Sequence, residues 1–127
     1  MKKIYILGGG TFNHVRNQLS LSAPAFGETA RKLKSLFNKE LKNQGLEKEY
    51  QVELVLTKMA NHKSKIVTSN DLDSYVSKLV EQPETRAIIF NATLAECEGQ
   101  VGETESGKYA EKLKANQSNF MMELSPS

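Results

Sequence analysis

The sequence is poor in cysteine, lacks long apolar runs and has almost no net charge. Its single cysteine, Cys97, excludes an internal disulfide and a zinc site built from several cysteines. No apolar run approaches the roughly 20 residues of a membrane helix, and the run at 4–7 is too short for the apolar region of a signal peptide. We therefore expect a cytoplasmic protein with no membrane partner.

The charge balance and the histidine content argue against two further classes. Lys and Arg number 17 against 15 acidic residues, a formal net charge of +2, which is too balanced to predict nucleic-acid binding. The two histidines, His14 and His62, are far apart in sequence and do not predict a metal site. With 127 residues, of which 39% are hydrophobic, the chain is expected to form one domain over 1–127 with a real core.

Apolar periodicity predicts strand, helix, strand, helix, strand. Strands are predicted at 4–7, 52–56 and 87–90. A helix is predicted from a Ser22 cap and Pro24 to Gly45, and a second from Thr68 or Ser69 to just before Pro83. The apolar stripe of the first helix comprises Phe26, Ala30, Leu33, Leu36, Phe37 and Leu41, and that of the second comprises Leu72, Tyr75, Val76, Leu79 and Val80.

The remaining segments carry weaker signals. Residues 11–22 show no clear period and are interpreted as a loop, 108–114 as a short helix, and 120–124 as one more strand. Alternating strands and helices favour a parallel sheet with right-handed crossovers. The predicted fold class is therefore α/β, a three-layer Rossmann-like parallel sheet of about four strands with helices on both faces.

The glycine run after the first strand is the most informative candidate site. Ligands of parallel sheets bind beyond the carboxyl ends of the strands, and Gly8, Gly9 and Gly10 would let backbone amides approach a phosphate, with the Thr11 hydroxyl beside them. The dinucleotide glycine spacing fails, because position 13 is Asn13. A phosphate-binding bend and a plain structural turn therefore both remain open.

Other polar residues flank the same edge of the predicted sheet. Arg16 is either an anion clamp or a solvated residue, and Asn91 follows the third strand directly. Cys97 has no activating neighbour in the sequence and is interpreted as inert. The late lysines, Lys112 and Lys114 among them, either form a solvated face or close over bound phosphates.

Taken in order, these segments resemble the phosphopantothenate–cysteine ligase family. The start IYILGGGT is similar to the family's strand ending in A-G-G-T, Val15-Arg16 to its V-R pair, and Gly27 to the glycine that follows. Residues 68–72 resemble its T-T-A-x-E-M helix start and 91–96 its A-A-A-V-A-D segment. Residues 112–115 resemble its K-I-K-K motif, and 122–126 its L-E-L strand and N-P-D.

The resemblance implies a Rossmann-like domain that uses CTP or ATP with Mg²⁺ to activate the phosphopantothenate carboxylate, which the amine of cysteine then attacks. The partners it implies are a nucleotide and a phosphorylated small molecule, in a homodimer. It places the nucleotide at Gly8, Gly9, Gly10, Thr11, Ala92 and Glu96, the acid substrate at Arg16 and Ser20, and catalysis at Lys112 and Lys114, to which we add Asn91.

The chain departs from the family in one loop. The family's S-N-R-S-S-G-K reads L-S-L-S-A-P-A at 19–25, with Ser20 at the asparagine position. The chain also ends near the N-P-D point, so the expected domain is a divergent or shortened one. The alternative hypothesis is a non-enzymatic module that binds a nucleotide or another phosphorylated ligand; a flavin or nicotinamide protein is disfavoured by the glycine spacing.

Overall fold

A parallel sheet of three strands forms the centre of the computed structural model, which describes residues 1–113 and 119–126. The central strand β1 (Lys2–Gly8) lies between β4 (Tyr50–Leu56) and β5 (Thr85–Phe90), in the order β4-β1-β5. Ile6 pairs with Leu54 on one side and with Ile89 on the other. The predicted α/β class and the three apolar strands are confirmed, each strand beginning two residues earlier than the sequence suggested.

Two helices complete the core. Helix α1 (Glu28–Asn43) packs on Ile4 and Ile6 through Ala30 and neighbouring side chains. Helix α2 (Ser69–Glu81) packs on Tyr5 and Leu7 through its buried leucines Leu72 and Leu79. Because successive side chains of a strand point to opposite faces, each helix contacts a different set of alternate β1 residues.

Both helix C-terminal boundaries agree with the sequence signals, but one N-terminal boundary does not. Gly45 ends α1 at positive φ, with N–H groups of Gly45 and Leu46 donating to Lys42 and Leu41 as in a Schellman motif. Helix α1 begins at Glu28 after Gly27, so the prediction of a start at Ser22 and Pro24 was wrong. Both predicted apolar stripes are also interrupted, since Phe26 and Leu36 of the first and Val80 of the second are exposed.

Residues 11–22 form a hairpin instead of the predicted loop. Strand β2 (Thr11–Arg16) pairs antiparallel with β3 (Leu19–Ala23), with an irregular register between His14 and Arg16. Strand β2 shows no regular alternation of apolar and polar residues, whereas β3 reads Leu-Ser-Leu-Ser-Ala and alternates at every position, a strand signal that the prediction of a loop missed. Two isolated parallel bridges, Gly10 with Thr93 and Phe12 with Thr68, connect this part of the chain to the rest of the domain.

The C-terminal strand lies outside the parallel sheet. Strand β7 (Met122–Pro126) pairs antiparallel with β6 (Cys97–Val101), so the expected fourth parallel strand belongs to a second hairpin-like ladder. Residues 108–113 are not helical, and Lys114 lies outside the described residues. Within the described ranges, no helix is long and apolar enough to cross a membrane.

Helix α2 begins with a capping box. The Thr68 hydroxyl accepts from the Asp71 N–H at 3.0 Å, and the Asp71 carboxylate accepts from the N–H groups of Thr68 and Val67, also at 3.0 Å. Partial burial raises the pKa of Asp71, but these bonds and the nearby charge of His14 outweigh it and hold the pKa below the ordinary value of 3.8.

We expect the stabilisation provided by this capping box to be lost in acid. Because the Asp71 pKa is lower in the folded chain than in the unfolded one, its contribution is present above 3.8 and disappears as the pH falls through the folded value. Asp71→Asn should lower the free energy of unfolding by about 1 kcal/mol at pH 7, with a smaller difference at pH 2.5. Urea denaturation across this pH range measures both.

The matched control is Asp73→Asn, which removes an exposed aspartate from the same helix turn. It should leave the capping box intact and change the free energy of unfolding by less than about 0.5 kcal/mol. An Asp71→Asn difference that stays constant from pH 7 to pH 2.5 would contradict the assignment.

Candidate functional site

A cleft opens where the central strand and β5 end. Its volume is about 310 Å³. Strand β1 lies between its two neighbours, so the chain crosses first to β4 and then back over β1 to β5, which makes the ends of β1 and β5 a switch point in strand order. Ligands of open parallel sheets bind at such points. The cleft is lined by Gly9, Ala25, Phe26, Gly27, Glu28, Thr29, Asn91 and Thr93.

The three glycines allow other parts of the chain to pack closely against the end of β1. A Cβ at Gly8 would overlap Cβ of Ala30, and one at Gly10 would overlap the carbonyl oxygen of Ala23. Gly9 has a φ of +102°, and a Cβ there would overlap the Thr57 hydroxyl. All three are buried, so the bend is packed on several sides and meets the cleft only at Gly9.

The backbone groups of the bend are partly used within the protein. The Gly10 N–H donates to the Ala25 carbonyl at 2.8 Å, and the Gly9 carbonyl accepts from the Thr93 N–H at 2.9 Å. The expectation of an open cradle of free amides is therefore wrong for Gly10, whose N–H holds the segment before α1. The glycines shape one wall of the cleft by permitting these close approaches.

The N-terminus of α1 forms another part of the wall. Gly27 is the N-cap residue, with φ 78° and no side-chain cap. Among the described residues, the N–H groups of the first turn therefore have no side-chain acceptor, and they have none within the helix either. The positive end of the helix dipole lies at the same place. Uncapped N–H groups beside a cleft can bind an anion such as phosphate.

Arg31 fixes the segment that leads into this helix. Its guanidinium donates to the Phe26 carbonyl at 2.7 Å and to the Ala60 carbonyl at 2.9 Å. The loop after β4 is thereby joined to the backbone that precedes Gly27. A Cβ on Gly27 would lie 2.8 Å from the Leu56 side chain, so the glycine also permits contact with the end of β4.

Thr11 stands behind the cleft and has a structural role. Its hydroxyl lies within hydrogen-bonding distance of Ser69 Oγ (3.1 Å), donates to the Thr93 carbonyl (3.0 Å) and accepts from the Ala95 N–H (2.9 Å). With three partners and no solvent exposure, the hydroxyl has used its hydrogen-bonding capacity. Its predicted contact with a nucleotide stays a prediction that would require one of these bonds to be exchanged.

The segment after β5 places its predicted residues differently. Asn91 and Thr93 are exposed and line the cleft. Ala92 packs against the apolar cluster under α2, and Glu96 is exposed outside the cleft lining. Of the nucleotide and catalytic residues predicted from the sequence, the cleft therefore brings together Gly9 and Asn91.

The remaining predicted residues lie elsewhere. Arg16 is buried, and its guanidinium donates to the carbonyls of Glu111 at 2.9 Å and Val101 at 2.8 Å, while its Nε is buried with no partner among the described residues. Lys112 lines a second cleft, about 330 Å³, together with Arg16. Ser20 is half-buried in β3 opposite His14. None of these residues lines the first cleft.

Sequence reasoning missed most of the cleft wall contributed by α1. Phe26 was interpreted as core, and Gly27 was noted only for its place in the family pattern. The available signal was the single glycine that precedes a helix with a strong apolar period, since glycine is acceptable at an N-cap and adds no side chain that covers the first N–H groups. Across the described residues, no three His, Cys, Asp or Glu side chains are placed to hold a metal ion.

Comparisons with known proteins indicate a shared fold. No family model matches the chain, and no curated protein matches it. Among solved structures, the chain is similar to the DNA/pantothenate metabolism flavoprotein from Streptococcus pneumoniae, with a TM-score of 0.58 and 17% sequence identity. The match covers 99% of this chain and 58% of that one, so the chain spans little more than half the length of that flavoprotein.

The packing of the glycine bend leads to a stability prediction. Gly10→Ala places a methyl group against the Ala23 carbonyl oxygen, and we expect a loss of about 1–3 kcal/mol in the free energy of unfolding, since backbone must move to admit the extra carbon. Thermal or urea denaturation measures the loss.

The control is Gly107→Ala. A Cβ there has nothing within 4 Å, and its φ is not positive. This variant should unfold within about 0.5 kcal/mol of the parent chain. Equal stability of the two variants would show that the bend is not closely packed.

Proposed function

We propose that this chain is a nucleotide-binding domain that holds the phosphate groups of CTP or ATP at the N-terminus of α1. The observation that carries the proposal is the uncapped first turn of α1, which faces a cleft at the switch point between β1 and β5. A fold like that of a pantothenate metabolism flavoprotein supports a role in coenzyme A biosynthesis.

The lining of the cleft suits a phosphate group. Gly9 and Gly27 add no side chain to the wall, so a ligand can approach the backbone closely. The Asn91 amide and the hydroxyls of Thr29 and Thr93 supply neutral polar groups for the phosphate oxygens. Neutral donors beside a helix N-terminus bind an anion without an opposing lysine or arginine.

The lining also agrees with a nucleotide that arrives with Mg²⁺. Glu28 is the single acidic residue of the cleft, and its pairing with Lys32 at 3.7 Å is highly exposed and weak. Mg²⁺ commonly binds through one or two carboxylates together with substrate phosphates and water. Glu28 would be the protein group that holds it; the ion would neutralise phosphate charge.

The proposal has a second part, the ligase reaction, and its alternative is a non-enzymatic binding module. The positions of the predicted catalytic residues bear on the choice between them. Asn91 lines the phosphate cleft, whereas Lys112 lines the second cleft with Arg16, and the two linings share no residue. Stabilising a developing charge requires donors aimed at one reacting centre. A non-enzymatic binding module is therefore retained as the alternative to a complete acid–amino-acid ligase. Lys114 lies outside the described residues.

Calorimetric titration with CTP and ATP, each with and without Mg²⁺, tests nucleotide binding directly. A parallel assay supplies phosphopantothenate and cysteine and measures the amide product. Binding without product supports the module, and product supports the ligase. An absence of saturable heat with either nucleotide would contradict the proposal as a whole.

The phosphate position is tested by Asn91→Asp, which keeps the size of the side chain and adds a negative charge to the cleft. Because the charge would lie beside the bound phosphates, we expect nucleotide affinity to fall by at least about tenfold. The backbone bond from the Asn91 N–H to Leu7 is retained, so folding should be preserved.

Asn38→Asp is the matched control for net charge. It makes the same substitution at an exposed position in the middle of α1, away from the cleft. Nucleotide affinity should change by less than about twofold, because solvent and salt screen distant surface charges. Equal losses in the two variants would place the phosphates elsewhere.

We also propose that the domain forms a homodimer, since β5 is an edge of the parallel sheet and carries the exposed Phe90. Unpaired strand edges are common sites of pairing between copies. Light scattering in solution should give twice the chain mass of 14.2 kDa; a monomer mass at high concentration would contradict this.

A further inference from the structure

Phe26 is a large apolar side chain that the core does not use. The periodicity of the sequence assigns it to the buried stripe of α1, but it precedes the first residue of the helix and is 65% exposed. It belongs to neither of the two apolar clusters of the domain. A single exposed apolar residue needs no explanation by itself, so its surroundings decide what it does.

Those surroundings place Phe26 at the proposed phosphate site. It lines the cleft with Gly9 and Asn91, and it adjoins Gly27, which begins the uncapped helix turn. Two other exposed apolar residues of the helices, Leu36 and Val80, are absent from the lining of this cleft. The cleft therefore combines a polar wall for an anion with one accessible aromatic side chain.

The backbone that carries this side chain is held in place. Arg31 donates to the Phe26 carbonyl at 2.7 Å and, through its other terminal nitrogen, to the Ala60 carbonyl at 2.9 Å. A planar guanidinium that bonds two carbonyls restrains both segments. Less conformational freedom is then lost when a ligand contacts Phe26, which favours binding.

We propose that Phe26 stacks on the base of the bound nucleotide and so makes the site selective for ligands with both a phosphate chain and a planar aromatic ring. This inference rests on the proposed function, and it assigns the base to the Phe26 side of the cleft. Stacking on an aromatic side chain is tolerant of base identity, since every base presents a π face. The site then accepts CTP and ATP and discriminates against phosphorylated ligands that lack a ring.

The first test compares ATP with inorganic tripolyphosphate, which has the phosphates and no base. Calorimetry of the parent chain and Phe26→Leu should show about a tenfold loss of ATP affinity, with tripolyphosphate affinity changed by less than twofold. Phe26→Tyr keeps the ring and should retain ATP affinity. The side chain is exposed, so these variants are expected to fold.

The second test uses the absence of tryptophan from the sequence. F26W provides a single tryptophan at the cleft, and its emission, excited selectively over that of the tyrosines, should be quenched by ATP and unchanged by tripolyphosphate. L36W is the matched control, since Leu36 lies on α1 outside the cleft lining and is 61% exposed, close to the exposure of Phe26. Its emission should respond to neither ligand.

The outcomes separate this inference from the proposed function. Suppose that both ligands bind the parent chain. If Phe26→Leu then weakens the binding of both ligands equally, or leaves the binding of both unchanged, the stacking role is overturned and phosphate binding stands. If neither ligand binds the parent chain, the phosphate site and the stacking role both fail. A loss of affinity for ATP alone in Phe26→Leu, with ATP affinity retained in Phe26→Tyr, supports the inference.

Discussion

Close backbone approach at the triple glycine is the constraint on which the rest of the structure depends. The end of β1 meets the start of α1, the segment after β3 and the loop after β4, and each meeting occurs where a Cβ would overlap a neighbour. Gly8 admits Ala30 of the helix, and Gly10 admits the carbonyl of Ala23. These contacts bring the first turn of α1 next to the ends of β1 and β5, and the cleft exists because they do.

The strands of the parallel sheet and the two helices could be predicted from the sequence because their buried faces require apolar residues in recognisable runs or stripes. Residues 4–7 are a continuous apolar run typical of an interior parallel strand, and α2 has both a stripe and a cap at Thr68. Residues 87–90 are a similar apolar run, but β5 lies at the edge of the sheet and Phe90 is exposed, so the run indicated a strand and not its position. The hairpin of β2 and β3 was missed because β2 does not alternate apolar and polar residues and the alternation of β3 covers only five residues. The start of α1 was predicted too early because Ser22 and Pro24 are residues typical of a helix start. In the folded chain Ser22 lies at the end of β3, and Pro24 lies in the loop that follows.

The sequence predicted the part of the candidate site at the edge of the sheet but not the part contributed by α1. The edge of the sheet follows from strand order, so Gly9 and Asn91 could be assigned to it. The role of a polar residue depends on its hydrogen-bond partners in the folded chain, and these cannot be read from the sequence. Thr11 uses its hydroxyl to join α2 and the segment after β5, and Phe26 is left outside the core by the late start of α1. The proposed anion site therefore lies at the helix terminus, with the glycines as its structural support.

The buried Arg16 has a consequence for which residues position 16 can accept. Its guanidinium joins β2 to two distant stretches of chain through the carbonyls of Val101 and Glu111. A lysine offers one nitrogen at the end of a flexible stem and cannot span two separated oxygens with a rigid planar fork. A side chain without such a fork would leave both carbonyls without this donor. Arginine is the natural side chain whose rigid fork matches this two-point tether, so the geometry of the fold, and not a ligand, accounts for an arginine at position 16.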